Sequence, residues 1–153
     1  MHVALVEPQI PPNTGNVARL CAATGIALHL VEPLGFRIDD RELKRAGLDY
    51  WSNVQVIVHP SFAAFLEETA PIRRWFLSTH ARKSYTQADF ARGDMLVFGK
   101  ETAGLPKTIL SEHEANCLRI PMREDSVRSL NLSTSVGIVT YAALARCGFP
   151  GLQ

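Results

Sequence analysis

The first 31 residues restrict the fold of this chain more than any other stretch. An apolar run at 3–7 has the length of a short buried strand, and Pro8-Gln-Ile-Pro-Pro-Asn13 behind it cannot continue a sheet or start a helix interior. Residues 14–24 then place Val17, Leu20 and Cys21 on one side of a helix, and Gly25 ends it as a C-terminal cap. Ala27–Val31 is apolar again and reads as a second strand. Strand, helix and strand in this order make a β–loop–α–β unit, and its parallel strands require helices on both faces of the sheet.

The rest of the chain extends that pattern. Strands are predicted at 54–59, 75–78, 94–99 and 116–120, and the continuous apolar run of Asp94-Met-Leu-Val-Phe-Gly99 suits a central, doubly covered position. Helices are predicted at 39–46, at 62–69 with Phe62, Phe65 and Leu66 as its apolar face, at 107–113 after Pro106, and at 131–146. The last of these carries Ser133, Ser135, Gly137, Ala142 and Ala143, small residues that let a second helix approach closely. The polar stretch 79–93 is expected to be a mobile loop and a lid over a ligand. A length of 153 residues fits one α/β domain over 1–153, large enough to bury a core without disulfide or metal staples.

Composition excludes several classes. Hydrophobic residues make up 46% and charged residues 20%, and no apolar run approaches the length that crosses a bilayer. The chain opens directly on a strand-like run, without the basic start and cleavage site of a secretory signal, so a cytoplasmic location is expected. Cys21, Cys117 and Cys147 are odd in number and far apart, which reads as reduced thiols. The five histidines are scattered, and His113-Glu114 lacks the second histidine of a zinc helix, so no metal is expected. Net charge is only +1, so any nucleic-acid signal has to be local. Arg37, Arg41 and Arg45 recur every four residues beside Lys44, and Arg73-Arg74, Arg82-Lys83, Arg123 and Arg128 add further basic points. A solvated face balanced by Asp39, Asp40 and Glu42 accounts for the stripe equally well.

Three loops follow predicted parallel strands, after Leu77, after Phe98 and after Ile120, and ligands of open α/β sheets bind at those ends. Gly99 and Gly104 would let backbone amides approach a ligand closely. The segment between them is neither a Walker loop nor a GxGxxG fingerprint, which disfavours a phosphate-first cofactor and leaves main-chain recognition of an adenine-like base open. No Ser-His-Asp set, carboxylate pair or metal cluster is present. Arg19, Glu101, Arg128, Ser129 and Asn131 remain, a set suited to positioning a good electrophile. Structural readings stand beside these: Ser129 and Asn131 as caps of the last helix, Ser133 as packing, Asn13 and Asn16 as caps of the first helix, and Glu101 as the partner of an arginine.

Three segments in order, Asn13-Thr-Gly-Asn-Val-Ala-Arg19, Leu96-Val-Phe-Gly-Lys-Glu-Thr-Ala-Gly-Leu-Pro106 and Ile120-Pro-Met followed by Ser129-Leu-Asn-Leu-Ser133, resemble the motifs of the SPOUT class of RNA methyltransferases. Glu7-Pro, Ile10-Pro-Pro-Asn-Thr-Gly-Asn16 and Arg45-Ala-Gly-Leu-Asp-Tyr50 are similar to the branch that methylates the ribose 2′-hydroxyl of the wobble cytidine or uridine of leucine tRNAs. The resemblance implies a parallel α/β fold with a C-terminal deep trefoil knot, an exception to the rule that chains are unknotted. It implies S-adenosylmethionine held around Leu77, Ser78, Gly99, Glu101, Gly104 and Ile120, with Ser129 and Leu130 closing the site. It further implies a homodimer through the first and last helices, and Arg19, Ser129 and Asn131 as catalytic groups. The anticodon stem-loop would lie on Asn13, Arg41, Lys44, Arg45 and Arg128. Tyr141 reads as interface packing.

Two rival readings remain from the residues. One is a non-catalytic RNA-binding module that uses the basic stripe with Tyr50 and Trp51 as stacking surfaces. The other is a regulatory small-molecule-binding α/β domain. A pure RNA binder has no use for S-adenosylmethionine, and a small-molecule regulator predicts no salt-sensitive tRNA affinity.

Overall fold

A computed structural model describes residues 1–38, 53–123, 125 and 127–153. The basic helix expected at 39–46, with Arg41, Lys44 and Arg45, and the aromatic pair Tyr50 and Trp51 lie outside the described residues. Among the described residues the strands are His2–Val6 (β1), Ala27–Val31 (β2), Val56–His59 (β3), Arg74–Leu77 (β4), Lys83–Ser84 (β5), Met95–Phe98 (β6) and Cys117–Arg119 (β7). The α-helices are Pro11–Thr24 (α1), Phe62–Glu68 (α2), Lys107–Glu112 (α3) and Leu132–Arg146 (α4).

The strands form one sheet in the order β3-β2-β1-β6-β4-β7-β5, and every pairing is parallel. Strand alternation divides the core between the two faces of the sheet. Val3 and Leu5 of β1, Trp75 of β4 and Leu96 and Phe98 of β6 pack with Val17, Ala18 and Cys21 of α1 and Val136, Val139 and Ala143 of α4. Ala4, Val6, Phe76, Met95 and Val97 turn the other way, toward Phe65 of α2 and Ile109 of α3. Helices therefore cover both faces, as the βαβ pattern requires. The apolar run at 94–99 is central, because β6 pairs with both β1 and β4.

Three expectations change. The first helix begins at Pro11 rather than at residue 14, with both prolines in its first turn. The N–H that proline lacks is one that the first turn leaves unbonded anyway, so Pro11 and Pro12 start the helix instead of delaying it. The expected polar lid at 79–93 is an anchored segment: it contributes β5 to the sheet, a capping box joins Ser84 and Gln87, and Phe90 packs edge-on against Trp75. Three of its apolar residues, Ala81, Ala88 and Phe90, are buried, and they outweigh its polar composition. The histidines are not all scattered, since three of the five stand in one row.

That row crosses the outer half of the sheet. His2 Nδ1 lies 3.1 Å from His29 Nε2, His29 Nδ1 lies 2.9 Å from His59 Nε2, and His59 Nδ1 lies 2.6 Å from a carboxylate oxygen of Glu68 on α2. Burial, with His2 and His59 alongside, pushes the His29 imidazole down to about 4. A second polar knot holds the N-terminal ends of β4 and β6. There the Asp94 carboxylate accepts bonds from Arg73, Trp75 and the Ala91 N–H. Burial alone would raise the Asp94 pKa, and these bonds outweigh it and hold it below the usual carboxylate range.

One feature of the strand order governs the C-terminal region. Leu118 of β7 is level with Leu77 on one side and Lys83 on the other, so residues 78–82 straddle β7 while the chain leaves that strand at Ile120. Among the described residues no helix is long and apolar enough to cross a membrane.

Candidate active site

A cleft of about 720 Å³ opens at the C-terminal ends of β4, β6 and β7, within the size range of small-molecule sites. Leu77 and Ser78 line it from β4, Phe98 to Leu105 from β6, Leu118, Ile120 and Met122 from β7, and Arg128 to Leu132 from the start of α4. The strand ends face one space because the strands are parallel and β6, β4 and β7 are adjacent.

The loop after β6 is shaped by close backbone packing. Gly104 adopts φ 66, donates its N–H to the Lys100 carbonyl at 2.8 Å, and brings its own carbonyl carbon over Gly99. A Cβ on Gly99 would stand 2.1 Å from that carbon, so no other residue fits there without moving backbone. The loop is thereby folded back on itself at the wall of the cleft. Its polar side chains reach away to a second segment. Glu101 accepts bonds from the Gln9 N–H at 2.8 Å, the Ile10 N–H at 3.1 Å and the Asn13 side-chain amide at 3.0 Å. Thr102 donates to Gln9 at 2.6 Å, and Lys100 reaches Glu7 at 2.6 Å.

The third segment joins through asparagines. The Asn13 side-chain oxygen accepts from the Asn131 amide at 2.9 Å. The Asn131 oxygen in turn accepts from the Ser133 hydroxyl at 2.7 Å and from the Thr134 N–H at 3.2 Å, capping α4. Glu101, Asn13 and Asn131 thus tie the loop after β6, the start of α1 and the start of α4 into one continuous hydrogen-bonded line. A single carboxylate organises it, accepting from two backbone N–H groups and an amide.

The structure brings most of the sequence-predicted residues together. Leu77, Ser78, Gly99, Glu101, Gly104, Ile120, Arg128, Ser129, Leu130 and Asn131 all line the cleft, as does Asn13. Ser129 and Arg128 are exposed at its rim, and Asn131 is both lining and cap. Glu101 does not pair with an arginine in the described contacts; its oxygens serve backbone and amide donors. Arg19 stands apart, exposed on α1 beyond the residues that line the cleft. His80 and Lys100 also line the space. Lys100 stands inside the motif at 96–106, and the sequence signal for His80 is its place beyond a strand end.

A fully parallel sheet with a ligand-sized cleft at the carboxyl ends of its central strands defines the class of the protein, an α/β enzyme-type fold whose site is built by loops. The sequence pattern of the SpoU rRNA Methylase family matches residues 1–141, and the chain belongs to that family. It is 49% identical to a tRNA (cytidine(34)-2′-O)-methyltransferase of Saccharophagus degradans, a match covering 98% of this chain and 97% of the relative. Identity to the protein of the same description from Escherichia coli K12 is 47%, over 99% and 96% of the two chains. Among solved structures, one described as a putative RNA methyltransferase from Bacillus anthracis superposes with a TM-score of 0.92 at 47% identity, over 99% of this chain and 97% of that one. A structure described as giving insights into the 2-OH methylation of C/U34 on tRNA superposes at 0.89 with 46% identity, over 95% and 94%. The SpoU methyltransferase AviRb from Streptomyces viridochromogenes, solved with the cofactor AdoMet, shares the fold at a TM-score of 0.84 and 22% identity, over 95% of this chain and 60% of that one.

Proposed function

We propose that this chain is an S-adenosylmethionine-dependent 2′-O-methyltransferase of nucleotide 34, cytidine or modified uridine, in leucine tRNAs, working in the cytoplasm as a homodimer with one domain per chain. The observation that carries the reading is the convergence of the loops after β4, β6 and β7 on one cleft. Relatives at 46–49% identity described as cytidine(34) 2′-O-methyltransferases support the substrate. The cleft suits a purine joined to an amino-acid end. Leu77, Ile120 and Leu130 offer apolar surface, and the closely packed Gly99–Gly104 backbone forms the wall beside them.

When bound, S-adenosylmethionine supplies a methyl group on a sulfonium, an excellent leaving group. The residues of the chain then have to orient the ribose oxygen and dispose of its proton. Leu77, Ser78, Gly99, Gly104, Ile120 and Leu130 hold the cofactor, while Glu101 keeps the cleft wall in register with α1. Ser129 and Asn131 position the ribose or the methionine end. Arg19 orients the substrate phosphate and the attacking hydroxyl; an arginine cannot itself act as the base at neutral pH. Because Arg19 lies outside its own cleft, the reading has it serve the cleft of a second copy packed through α1 and α4. Tyr141 is 47% exposed on α4, with its ring centroid 6.4 Å from that of Phe149, and the pair supplies apolar surface for such a contact. Arg41, Lys44, Arg45 and Arg128 take the anticodon stem-loop, whereas Asn13, expected among them, is buried with its amide bonded to Glu101 and Asn131 and holds the cleft wall instead. The straddling of β7 by residues 78–82 supports a deep trefoil knot, formed if the chain leaving Ile120 passes through that loop.

Methylation of total tRNA lacking this modification, with the modified nucleotide mapped, tests the reading. Methyl label is expected on the ribose of nucleotide 34, and label on a base overturns the reaction. Arg19→Ala is expected to lower methyl transfer about 100-fold or more with cofactor binding preserved; near-normal turnover removes Arg19 from the mechanism.

A further inference from the structure

The cleft leaves the histidine row unused. Two of its three imidazoles are buried, at 3% exposure for His29 and 1% for His59, and both lie against the ring of Phe65. The groups around them come from every neighbouring element. His2 on β1 has the N-terminal ammonium beside it, His59 stands on β3 and Glu68 on α2. From β4, Arg74 reaches α2 at the Leu66 carbonyl and the Thr69 hydroxyl.

Hydrogen-bond direction along the row is forced from one end. Glu68 as a carboxylate can only accept, so His59 must carry its proton on Nδ1. Its Nε2 is then an acceptor, which requires Nδ1–H on His29. His29 Nε2 accepts in the same way and requires Nδ1–H on His2. All three neutral imidazoles are therefore locked as Nδ1–H tautomers, and His2 Nε2 is left as the outer acceptor.

We propose that His2, His29, His59 and Glu68 form a one-proton switch that carries charge from the sheet's start to the anchor of α2. A proton from solvent binds His2 Nε2. His2 passes its Nδ1 proton to His29 Nε2, and His29 passes its Nδ1 proton to His59 Nε2. Two N–H bonds break and three form, counting the incoming one, and the net charge of +1 rests on His59 beside the Glu68 carboxylate. His2 and His29 stay neutral with reversed tautomers. A second proton is opposed because it would place charges on adjacent buried rings, in keeping with the low position of His29. The neutral anchor of α2 on β3 becomes an imidazolium–carboxylate pair.

The test is two-bond ¹H–¹⁵N correlation spectroscopy on the full chain labelled with ¹⁵N-histidine, from pH 8 to pH 5. At pH 8, His29 and His59 should both show Nδ1–H and a bare Nε2. On acidification the imidazolium pattern should appear at His59 while His29 changes to a neutral Nε2–H tautomer. Glu68→Gln, at a half-exposed position, should move that change to lower pH and populate Nε2–H rings already at pH 8. His2→Ala removes the acceptor for reversed His29, so the His29 tautomer change should be lost. Nε2–H on either buried ring at pH 8, charging of His29 together with His59, or a Glu68→Gln or His2→Ala protein with wild-type titration would overturn the switch.

Discussion

The two halves of the sheet use buried and half-buried polar groups in opposite ways. On the side of β6, β4 and β7, the line from Glu101 through Asn13 to Asn131 joins three segments far apart in the chain, and a cleft of about 720 Å³ stays open beside it. On the side of β1, β2 and β3, the row from His2 to Glu68 runs between consecutive strands beneath a helix, packed against Phe65. The first line contains amides and one carboxylate, whose hydrogen-bonding roles do not depend on pH near neutrality. The second contains imidazoles, whose roles do. Polar groups that frame a ligand site have to hold still, and amides anchored by a carboxylate achieve this.

The largest effect is expected where the geometry that shapes the open side is removed. Gly99→Ala places a Cβ into the Gly104 backbone and should cost about 3 kcal/mol or more at the loop. Titration calorimetry with S-adenosylmethionine should show a loss of affinity of roughly 100-fold or more; unchanged affinity would detach the loop from the site.

The histidine side should respond to pH. His29 titrates at about 4 in the folded chain against 6.5 for a free imidazole. Between those values the unfolded chain binds more protons, so stability is complete above pH 6.5 and falls as pH drops toward 4. Urea denaturation should show the protein about 2 kcal/mol less stable at pH 5 than at pH 7.5 through this group. His29→Leu should flatten that part of the dependence, and an equally steep profile in the variant would assign it elsewhere.

Smaller effects refine the contrast. Glu101→Gln keeps the shape but removes the charge that three donors share, at a cost of about 1.5 kcal/mol, or roughly tenfold in turnover. The loss should appear in methyl-transfer assays across pH 6.5–8.5 without a change in pH profile. Ser61→Ala deletes the side-chain acceptor of the Ala64 N–H at the start of α2 and should lower thermal stability by about 1 kcal/mol, with turnover unchanged.

Much of the open side is legible in the residues. Apolar runs mark the strand ends, and the Gly, Ser and Asn sets behind them mark loops able to meet a ligand, because parallel strands present all their carboxyl ends on one side. What the residues leave open is which of those polar groups face the cleft and which face one another. Asn13 reads equally as a cap or a substrate contact, and its amide is in fact shared between Glu101 and Asn131, 88 and 118 residues away. The histidine row is illegible for the same reason. His2, His29 and His59 stand at no motif spacing, and only parallel register, with Leu28 against Val3 and Val56, brings their strands side by side.

Local residue patterns dictate the α/β class, the parallel sheet covered on both faces and the three loops that build a site, because alternation, helical spacing and turn residues act over a few positions. Tertiary structure alone decided that residues 79–93 are a strand-bearing anchor, that Arg19 stands outside its own cleft, and that three histidines share a line. Each of these depends on which distant segments become neighbours. Strand order sets that proximity, and strand order is a property of the whole sheet, absent from any local stretch of chain.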